Sequence, residues 1–408
     1  MPISEKWHGI DLTEDQLEML NLVRDFCAKE VRPNGAKYHE SQETPTAILK
    51  KAAQCDFYSS DFFLQLFSDP TGLTAALAIE EMFYSDAGIA LALFGTGLPA
   101  SAIVANGTPK QIEKWLPRCF GTAKEPKVAA FCCSEAEAGS DVSNIRTRAV
   151  YDEKSDTWTL NGIKHWITNG GISDVYVVVA SVDPELKSRG QASFIVTDGT
   201  PGLSAGRHLD KHGFRASHTG EVIIDNVVVP GDHLLGGKDR LDKRLARARR
   251  NESSGEQAAM ATFEATRWMV AAMGVGIARA AFEYARDYAL VREQFGKPIA
   301  AHQQVAEMLA DMATEVHLAR LGVINAAQTY LSTGKLDRAQ GSMVKYFASE
   351  LAVRATRNAM QILGGAGYVN EHPVAQWHAD ALLLPIFEGT SQIQKNVIAS
   401  VVTGLRIR

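Results

Sequence analysis

The spacing of apolar residues divides the chain into a helical, a strand-rich and a second helical third. From Thr13 to about Ala123, apolar positions recur every three to four residues, and Thr13 followed by Gln16 resembles a helix-starting capping box. The middle third instead has short β-branched runs bounded by turn residues, and residues 149–151 and 158–160 flank a hairpin signal. These predicted strands cover residues 128–133, 175–182, 193–197 and 221–229, and the later helices cover residues 258–291, 303–331, 343–363 and 390–403.

This order of elements predicts an α+β protein of several domains. We expect a helical N-terminal domain over residues 1–125 and a central antiparallel β-barrel or sandwich domain over residues 126–236. A charged connecting segment over residues 237–256 then leads into a C-terminal helical bundle over residues 257–408. The middle third has no helices between its strands, which argues against a Rossmann domain.

One uncharged stretch, residues 87–109, is long enough to be considered as a membrane span. It contains Gly95, Gly97 and Pro99, which would leave backbone groups unpaired in lipid. We therefore predict no membrane span, but two buried helices around a loop at residues 95–99.

The connecting segment carries seven Lys or Arg and four Asp or Glu between residues 238 and 256. Arg240, Lys243, Arg244 and Arg247 recur at helical spacing and would share one basic face. Two interpretations stay open: a contact with an anion or nucleotide phosphate, or a solvated surface excursion. Residues 253–255 are typical of an exit linker.

Charge and cysteine content exclude several classes of function. The net charge of −5 argues against bulk attraction to nucleic acid or acidic lipid. The five cysteines have no CxxC spacing, so we expect no metal site and no disulfide framework. The first fifteen residues are acidic and lack an apolar core, which argues against a secretory signal. We expect a cytoplasmic protein, with a mitochondrial matrix form lacking its transit peptide as the alternative.

Three short segments offer chemistry, each with a structural alternative. Glu388 follows the apolar run 381–386, and burial would raise the pKa of such a carboxyl towards that of a working base. The alternative is a first-turn carboxylate favoured by the helix that follows. Gly139 and Ser140 form a turn that can hold a phosphate or be an ordinary turn. Trp166 and Thr168 share a strand face that suits a flat heteroaromatic ligand or simple packing.

Six ordered motifs together resemble the acyl-CoA dehydrogenase flavoprotein family. They are SEAEAGSDV (134–142), GIKHWITNG (162–170), EATRWMVAA (264–272), REQFGKPI (292–299), QILGGAGY (361–368) and FEGTSQIQ (387–394). The C-terminal half is most similar to the medium-chain type. The resemblance implies the acyl-CoA dehydrogenase fold with a C-terminal four-helix bundle, bound FAD, and a homotetramer built from dimers. It also implies that an acyl-CoA thioester is desaturated and that an electron-transfer flavoprotein accepts the electrons.

The resemblance further assigns roles to individual residues. Glu388 matches the base that removes the α-proton while a β-hydride passes to flavin N5, which yields a trans-2-enoyl-CoA. Some family branches place the base at the position of Thr266, which cannot ionise, and this favours Glu388. Positions implied for the substrate are Ser140, Glu264, Arg267, Phe387 and Gly389. Positions implied for FAD are Cys133, Ser134, Gly139, Ser140, Trp166, Thr168, Thr390 and Gln392, and, from a neighbouring subunit, Arg292, Phe295, Gln303, Gln361, Ile362, Gly364 and Gly365.

Two other functions remain open on the same residues. A flavin-dependent acyl-CoA oxidase or a nitroalkane-oxidising relative would use oxygen directly, although the nitroalkane branch has an aspartate base where this chain has Glu388. A non-catalytic flavoprotein-like binding or assembly partner would lack bound flavin.

Overall fold

A computed structural model describes residues 10–252 and 258–407, without the side chains of residues 258–261, 264 and 338. The predicted linker at residues 253–255 lies outside this part of the chain. Eight helices come first: α1 (Glu14–Phe26), α2 (Gly35–Ser41), α3 (Thr46–Gln54), α4 (Ser60–Leu66), α5 (Leu73–Ser85), α6 (Ala87–Phe94), α7 (Gly97–Asn106) and α8 (Pro109–Phe120).

A sheet and a second set of helices follow. The strands are β1 (Ala129–Cys132), β2 (Arg148–Asp152), β3 (Thr157–Thr168), β4 (Val175–Ser181), β5 (Gln191–Thr197), β6 (Leu203–His208) and β7 (Thr219–Pro230). The remaining elements are α9 (Lys238–Arg249), α10 (Ala258–Val291), the small hairpin β8 (Glu293–Gln294) and β9 (Lys297–Pro298), α11 (Gln303–Thr333), α12 (Arg338–Leu363), α13 (Val374–Ala381) and α14 (Ser391–Thr403). The predicted α+β fold class, helical at both ends around a central sheet, is confirmed.

Local sequence signals start two of the first helices as expected. Thr13 accepts from the backbone N–H of Gln16, whose side chain accepts from the Thr13 N–H, so the predicted capping box forms. Thr108 and Gln111 repeat this arrangement at the start of α8, where Pro109 occupies the first turn. These bonds satisfy N–H groups that the first helical turn leaves without a partner.

The uncharged stretch forms α6 and α7, which meet at Gly95. By length and composition, Ala87–Asn106 qualifies as a candidate membrane span within the described residues, but 72% of its apolar window is buried inside the protein. Burial in the helical core explains the apolar composition. The two expected helices are therefore present, with a shorter junction than predicted.

The central sheet is mixed rather than purely antiparallel. Its strand order is β1-β4-β2-β3-β7-β6, with β5 paired to β4, and β1 runs parallel to β4. The β2–β3 hairpin separates β1 from β4 in the chain and leaves room for the crossover that parallel neighbours need. The strand β6 was not predicted, because LSAGRH contains one long apolar side chain and a glycine.

Both faces of the β1–β4 pair are buried, which explains its uninterrupted apolar runs. Val175, Val177 and Val179 of β4 face the helical core, whereas Tyr176 and Val178 face a second core inside the β domain. Alternating side chains of a strand point to opposite faces, so a strand between two cores must be apolar at every position.

Small residues allow the long helices to pack closely. The α10 helix is one continuous element of 34 residues. A Cβ on Gly276 would lie 2.4 Å from the carbonyl oxygen of Glu80 in α5, and a Cβ on Gly274 would lie 2.7 Å from that of Ala348 in α12. Gly276 and Gly274 therefore allow α10 to approach the backbones of α5 and α12 more closely than any larger residue would.

A buried network of charges joins α1, α5, α10 and α11. Glu80 accepts from Arg320 at 2.6 and 2.8 Å and pairs with Arg279 at 2.8 Å. The neighbouring Glu81 binds Arg279 at 2.9 Å and Arg24 at 3.2 Å. Paired geometry of this kind offsets the cost of removing charges from water.

The described part of the charged connecting segment forms α9, which lies against the β domain. Arg244 donates to the carbonyl of Gln191, and Arg249 pairs with Asp183 at 2.9 Å. Lys243 and Arg247 are exposed. The basic positions are therefore divided between packing contacts and solvent, and do not form one surface patch.

We predict that Glu80→Leu destabilises the protein by about 3–5 kcal/mol, because it removes the carboxylate that two buried guanidinium groups share. The measurement is the urea midpoint of the helical signal. Asp25→Ala breaks an exposed pair with Lys29 and should change stability by less than about 1 kcal/mol. Equal effects of the two variants would contradict a stabilising role for the network.

Candidate active site

Glu388 lies in a tight turn between α13 and α14. Its φ is +54°, followed by +91° at Gly389. A left-handed conformation is unfavourable for a glutamate and is found where surrounding structure enforces it, often at functional sites. Residue 388 is only partly exposed. The turn therefore presents one carboxylate in a defined direction.

The Glu388 carboxylate has a hydroxyl partner and two nearby cations. Oε2 accepts from the Thr266 hydroxyl of α10 at 3.0 Å. Burial raises the pKa of Glu388, and the Thr266 hydrogen bond and the charges of Lys345 and Arg267 oppose this rise only in part. The carboxyl is thus poised to accept a proton, as a general base requires.

Two buried side chains donate hydrogen bonds to the backbone of this turn. Lys345 of α12, fully buried, donates to the carbonyl oxygens of Leu384 at 2.7 Å and of Gly389 at 2.8 Å. The amide of Gln394 in α14 donates to the carbonyls of Glu388 at 3.2 Å and Gly389 at 3.1 Å. Neither residue was predicted.

The loop after β1 approaches the same place from the β domain. Burial raises the pKa of the Cys133 thiol to about 11, and the negative charges of Glu135 and Glu388 contribute to the rise. Lys164, fully buried in β3, donates to the Cys133 carbonyl at 3.0 Å and pairs with Glu135 at 2.9 Å. The predicted cofactor residue Cys133 thus lies close to the predicted base.

A bulge in β3 exposes a large aromatic ring beside this loop. Trp166 has φ +57° and is 56% exposed, and the register shifts between Lys164 and Ile167. The N–H of His165 donates to the Ser134 carbonyl at 3.0 Å and ties the bulge to the loop. Bulges re-aim side chains next to active sites. Thr168 lies two residues on, against the turn at Gly95.

Of the other predicted substrate residues, the structure brings Arg267 and Phe387 to this turn. Arg267 is buried, donates to Ser342 at 3.4 Å, and acts on the pKa of Glu388. Phe387 packs against Phe214 of the β domain, with ring centroids 6.4 Å apart. Ser140 is exposed at the end of its loop, and the side chain of Glu264 lies outside the described residues.

The remaining predicted cofactor residues divide into a near and a distant group. Thr390 begins α14 by accepting from the N–H of Ile393, and Gln392 is exposed nearby. Along α12, Gln361 lies about 24 Å beyond Lys345, since a helix rises 1.5 Å per residue. Gln361, Ile362, Gly364 and Gly365 are therefore far from Glu388 of the same chain. Arg292 follows the end of α10, about 39 Å beyond Thr266 along the helix, and Phe295 and Gln303 come after it.

Family models match nearly the whole chain in the order that the fold suggests. The N-terminal domain of acyl-CoA dehydrogenase matches residues 13–122, the middle domain residues 130–227 and the C-terminal domain residues 253–403. The chain belongs to the acyl-CoA dehydrogenase family. An acyl-CoA dehydrogenase of Bacillus subtilis is 35% identical over 398 residues, which cover 96% of this chain and 99% of the relative.

Solved structures agree with this assignment. Butyryl-CoA dehydrogenase of Megasphaera elsdenii superposes with a TM-score of 0.86 at 34% identity, covering 97% of this chain and 99% of that chain. A chain from the study of the electron transferring flavoprotein of Acidaminococcus fermentans gives 0.85 at 32% identity, with 96% and 99% covered. Glutaryl-CoA dehydrogenase of Mycobacterium smegmatis, solved with FADH2, gives 0.83 at 26% identity, with 97% and 96% covered. This chain is an oxidoreductase of that family, and its cofactor is FAD.

The site fits a flavin on structural grounds as well. Apart from the glycine and its two chain neighbours, no described protein atom lies within 4 Å of a Cβ placed on Gly139, so the loop leaves open space beside an exposed Ser140. The exposed Trp166 ring borders the same loop, and a ring face with hydroxyl and backbone donors suits an isoalloxazine and its phosphates. Ser134, Ser140, Trp166 and Thr168 would therefore hold FAD, which supplies the acceptor for a hydride.

Lys345, which was not predicted, had a weak signal in the sequence. Lys345 lies three residues after Ser342 and three before Ala348, on a helix face of small buried residues. Lysine is rarely fully buried without partners. An isolated lysine in such a stripe indicates a buried acceptor, but the pattern does not identify it.

We predict that Thr266→Val moves the acid limb of kcat/KM to higher pH by roughly one unit. The hydroxyl stabilises the ionised carboxylate, so its loss raises the pKa of Glu388 further, and the carboxyl then ionises only at higher pH. The measurement is kcat/KM against pH. Thr266→Ser keeps the hydroxyl and should leave the limb in place; an unshifted limb in Thr266→Val would disprove the contact's electrostatic role.

Proposed function

We propose that the protein oxidises an acyl-CoA thioester between its α and β carbons, with Glu388 as the base. The observation that carries this proposal is the Glu388 carboxylate itself. It is held in a left-handed turn, its pKa is raised by burial, and it lies near the Cys133 loop of the β domain. A desolvated carboxylate of raised pKa is suited to removing a proton next to a thioester carbonyl.

The bonding changes balance without a further reactant apart from the cofactor. The α C–H bond breaks and its proton passes to the Glu388 carboxylate, while the Cα–Cβ double bond forms. The β hydrogen leaves as a hydride, which bound FAD would accept, and the product is a trans-2-enoyl-CoA. The final electron acceptor is an electron-transfer flavoprotein, which the likeness to the Acidaminococcus structure supports.

The backbone of the base supports stabilisation of the developing enolate. Within the described residues, the N–H of Glu388 donates to no protein acceptor. A preorganised donor aimed at the thioester oxygen stabilises negative charge as it develops there. The turn held by Lys345 and Gln394 fixes the direction of this N–H, and Arg267 helps to keep the carboxylate ionised.

We also propose a homotetramer in which FAD reaches a second subunit. The hairpin β8–β9 and its neighbours expose apolar side chains to an unusual degree: Phe295 is 95% exposed and Val291 78% exposed. Tyr368, beside the glycines after α12, is 82% exposed. Large exposed apolar groups indicate contact surfaces. Such a contact would bring Arg292 and Gln361 of one subunit towards the flavin of another.

We predict that Glu388→Gln retains FAD and binds substrate, but lowers turnover by about 10²–10⁴-fold, the usual contribution of a general base. The measurement is anaerobic bleaching of the flavin across a panel of acyl-CoA thioesters. Glu371→Gln, at an exposed position, is the matched control. Near-normal bleaching in Glu388→Gln would refute the base assignment. If air is then admitted to the bleached wild type, rapid reoxidation with release of peroxide would assign an oxidase instead.

We predict that Arg292→Ala lowers FAD occupancy several-fold, because a ligand shared between subunits loses affinity when one side is removed. The ratio of flavin to protein absorbance after extensive dialysis measures this, with light scattering for the oligomeric state. Lys335→Ala, which alters an exposed cation between α11 and α12, should retain its flavin. Unchanged flavin in Arg292→Ala would count against the intersubunit contact.

A further inference from the structure

We propose that Lys345 is a positioning residue for the base. Its buried ammonium group donates hydrogen bonds to backbone carbonyls at both ends of the Glu388 turn and favours the ionised carboxylate. This inference rests on the proposed function of Glu388. It concerns a residue of α12 that lies 43 positions before the base in the chain.

The two carbonyl groups that Lys345 binds lie on either side of Glu388 in the chain. Leu384 precedes Glu388 by four residues and Gly389 follows it by one, and both carbonyl oxygens accept from Nζ, at 2.7 and 2.8 Å. One group therefore ties together the two ends of the segment that contains the strained φ of Glu388. Strained conformations persist only where surrounding contacts determine them.

The burial of Lys345 has a cost that a purely structural role explains poorly. The side chain is fully buried, and burial lowers the pKa of its ammonium to about 8, with the opposing charge of Glu388 as the next contribution. A neutral donor would satisfy two carbonyls without removing a charge from water. The charge itself has a use here because a carboxylate lies nearby.

The described groups that act electrostatically around Glu388 come from three elements. Lys345 belongs to α12, as does Glu350, which acts on Lys345; Arg267 belongs to α10, and Cys133 belongs to the loop after β1. Lys345 is the largest charge contribution opposing the raised pKa of Glu388, ahead of Arg267. Removing its charge should therefore raise that pKa and delay ionisation of the base.

Gln394 offers a matched comparison, because it binds the same turn without a charge. It donates to Glu388 and Gly389 carbonyls and is fully buried. Its loss weakens the support of the turn but leaves the electrostatics unchanged. The two side chains thus separate geometric support from charge.

The experiment compares kcat and the acid limb of kcat/KM in the FAD-loaded wild type, Lys345→Met, Lys345→Gln and Gln394→Met. Lys345→Met should lower kcat at least tenfold and move the acid limb up by about one pH unit. Lys345→Gln retains a donor without charge, so kcat should recover in part while the limb stays shifted. Gln394→Met should lower kcat with its limb unmoved.

The outcomes distinguish this inference from the proposed function. If wild type does not bleach with any acyl-CoA, the proposed function fails and this inference with it. If wild type bleaches but the limb of both Lys345 variants matches wild type, only the positioning role of the charge fails. If neither Lys345 variant folds with FAD while Gln394→Met does, the lysine is a stability element and the inference is overturned.

Discussion

A carboxylate that is withheld from water but must ionise depends on the few polar groups that face it. In this protein those groups are the Thr266 hydroxyl and the charges of Lys345 and Arg267, on two helices of the C-terminal bundle. Burial raises the pKa of the Glu388 carboxyl, and the three partners oppose this rise, so the carboxyl can still ionise. The chemistry of the site depends on this balance, so the relative placement of α10 and α12 is a functional requirement.

Close helix packing supplies that placement. Gly274, two helical turns beyond Thr266, allows α10 to approach the backbone of α12 at Ala348, one turn beyond Lys345. The contact is made by backbone rather than by flexible side chains, so it tolerates little displacement. The buried charges around Glu80 then join α10 and α11 to the N-terminal helices. The groups that face Glu388 are thus held on closely packed helices.

In the β domain, the loop that carries Cys133 is held by the same kind of contact. Lys164, like Lys345, is a fully buried lysine whose ammonium binds a backbone carbonyl of a functional loop. Its partner Glu135 is itself bound by the backbone N–H groups of Arg146 and Thr147. Burial alone would raise the pKa of Glu135, but the charge of Lys164 and these hydrogen bonds outweigh burial and hold the pKa low. The loop that carries Cys133 is therefore anchored by a complete, satisfied network.

The amino-acid sequence by itself determined most of the elements, the family resemblance and the choice of Glu388 as the proposed base. Capping at Thr13, the apolar period of the helices and the motif around Glu388 are local signals, and each is readable from neighbouring residues. Only the tertiary structure decided which strands pair in parallel and which carbonyls Lys345 binds, 39 and 44 residues away. Every residue carries a backbone carbonyl, so nothing in the sequence marks the ones that accept. Packing decides that choice, and it also leaves Gln361 far from the base of its own chain.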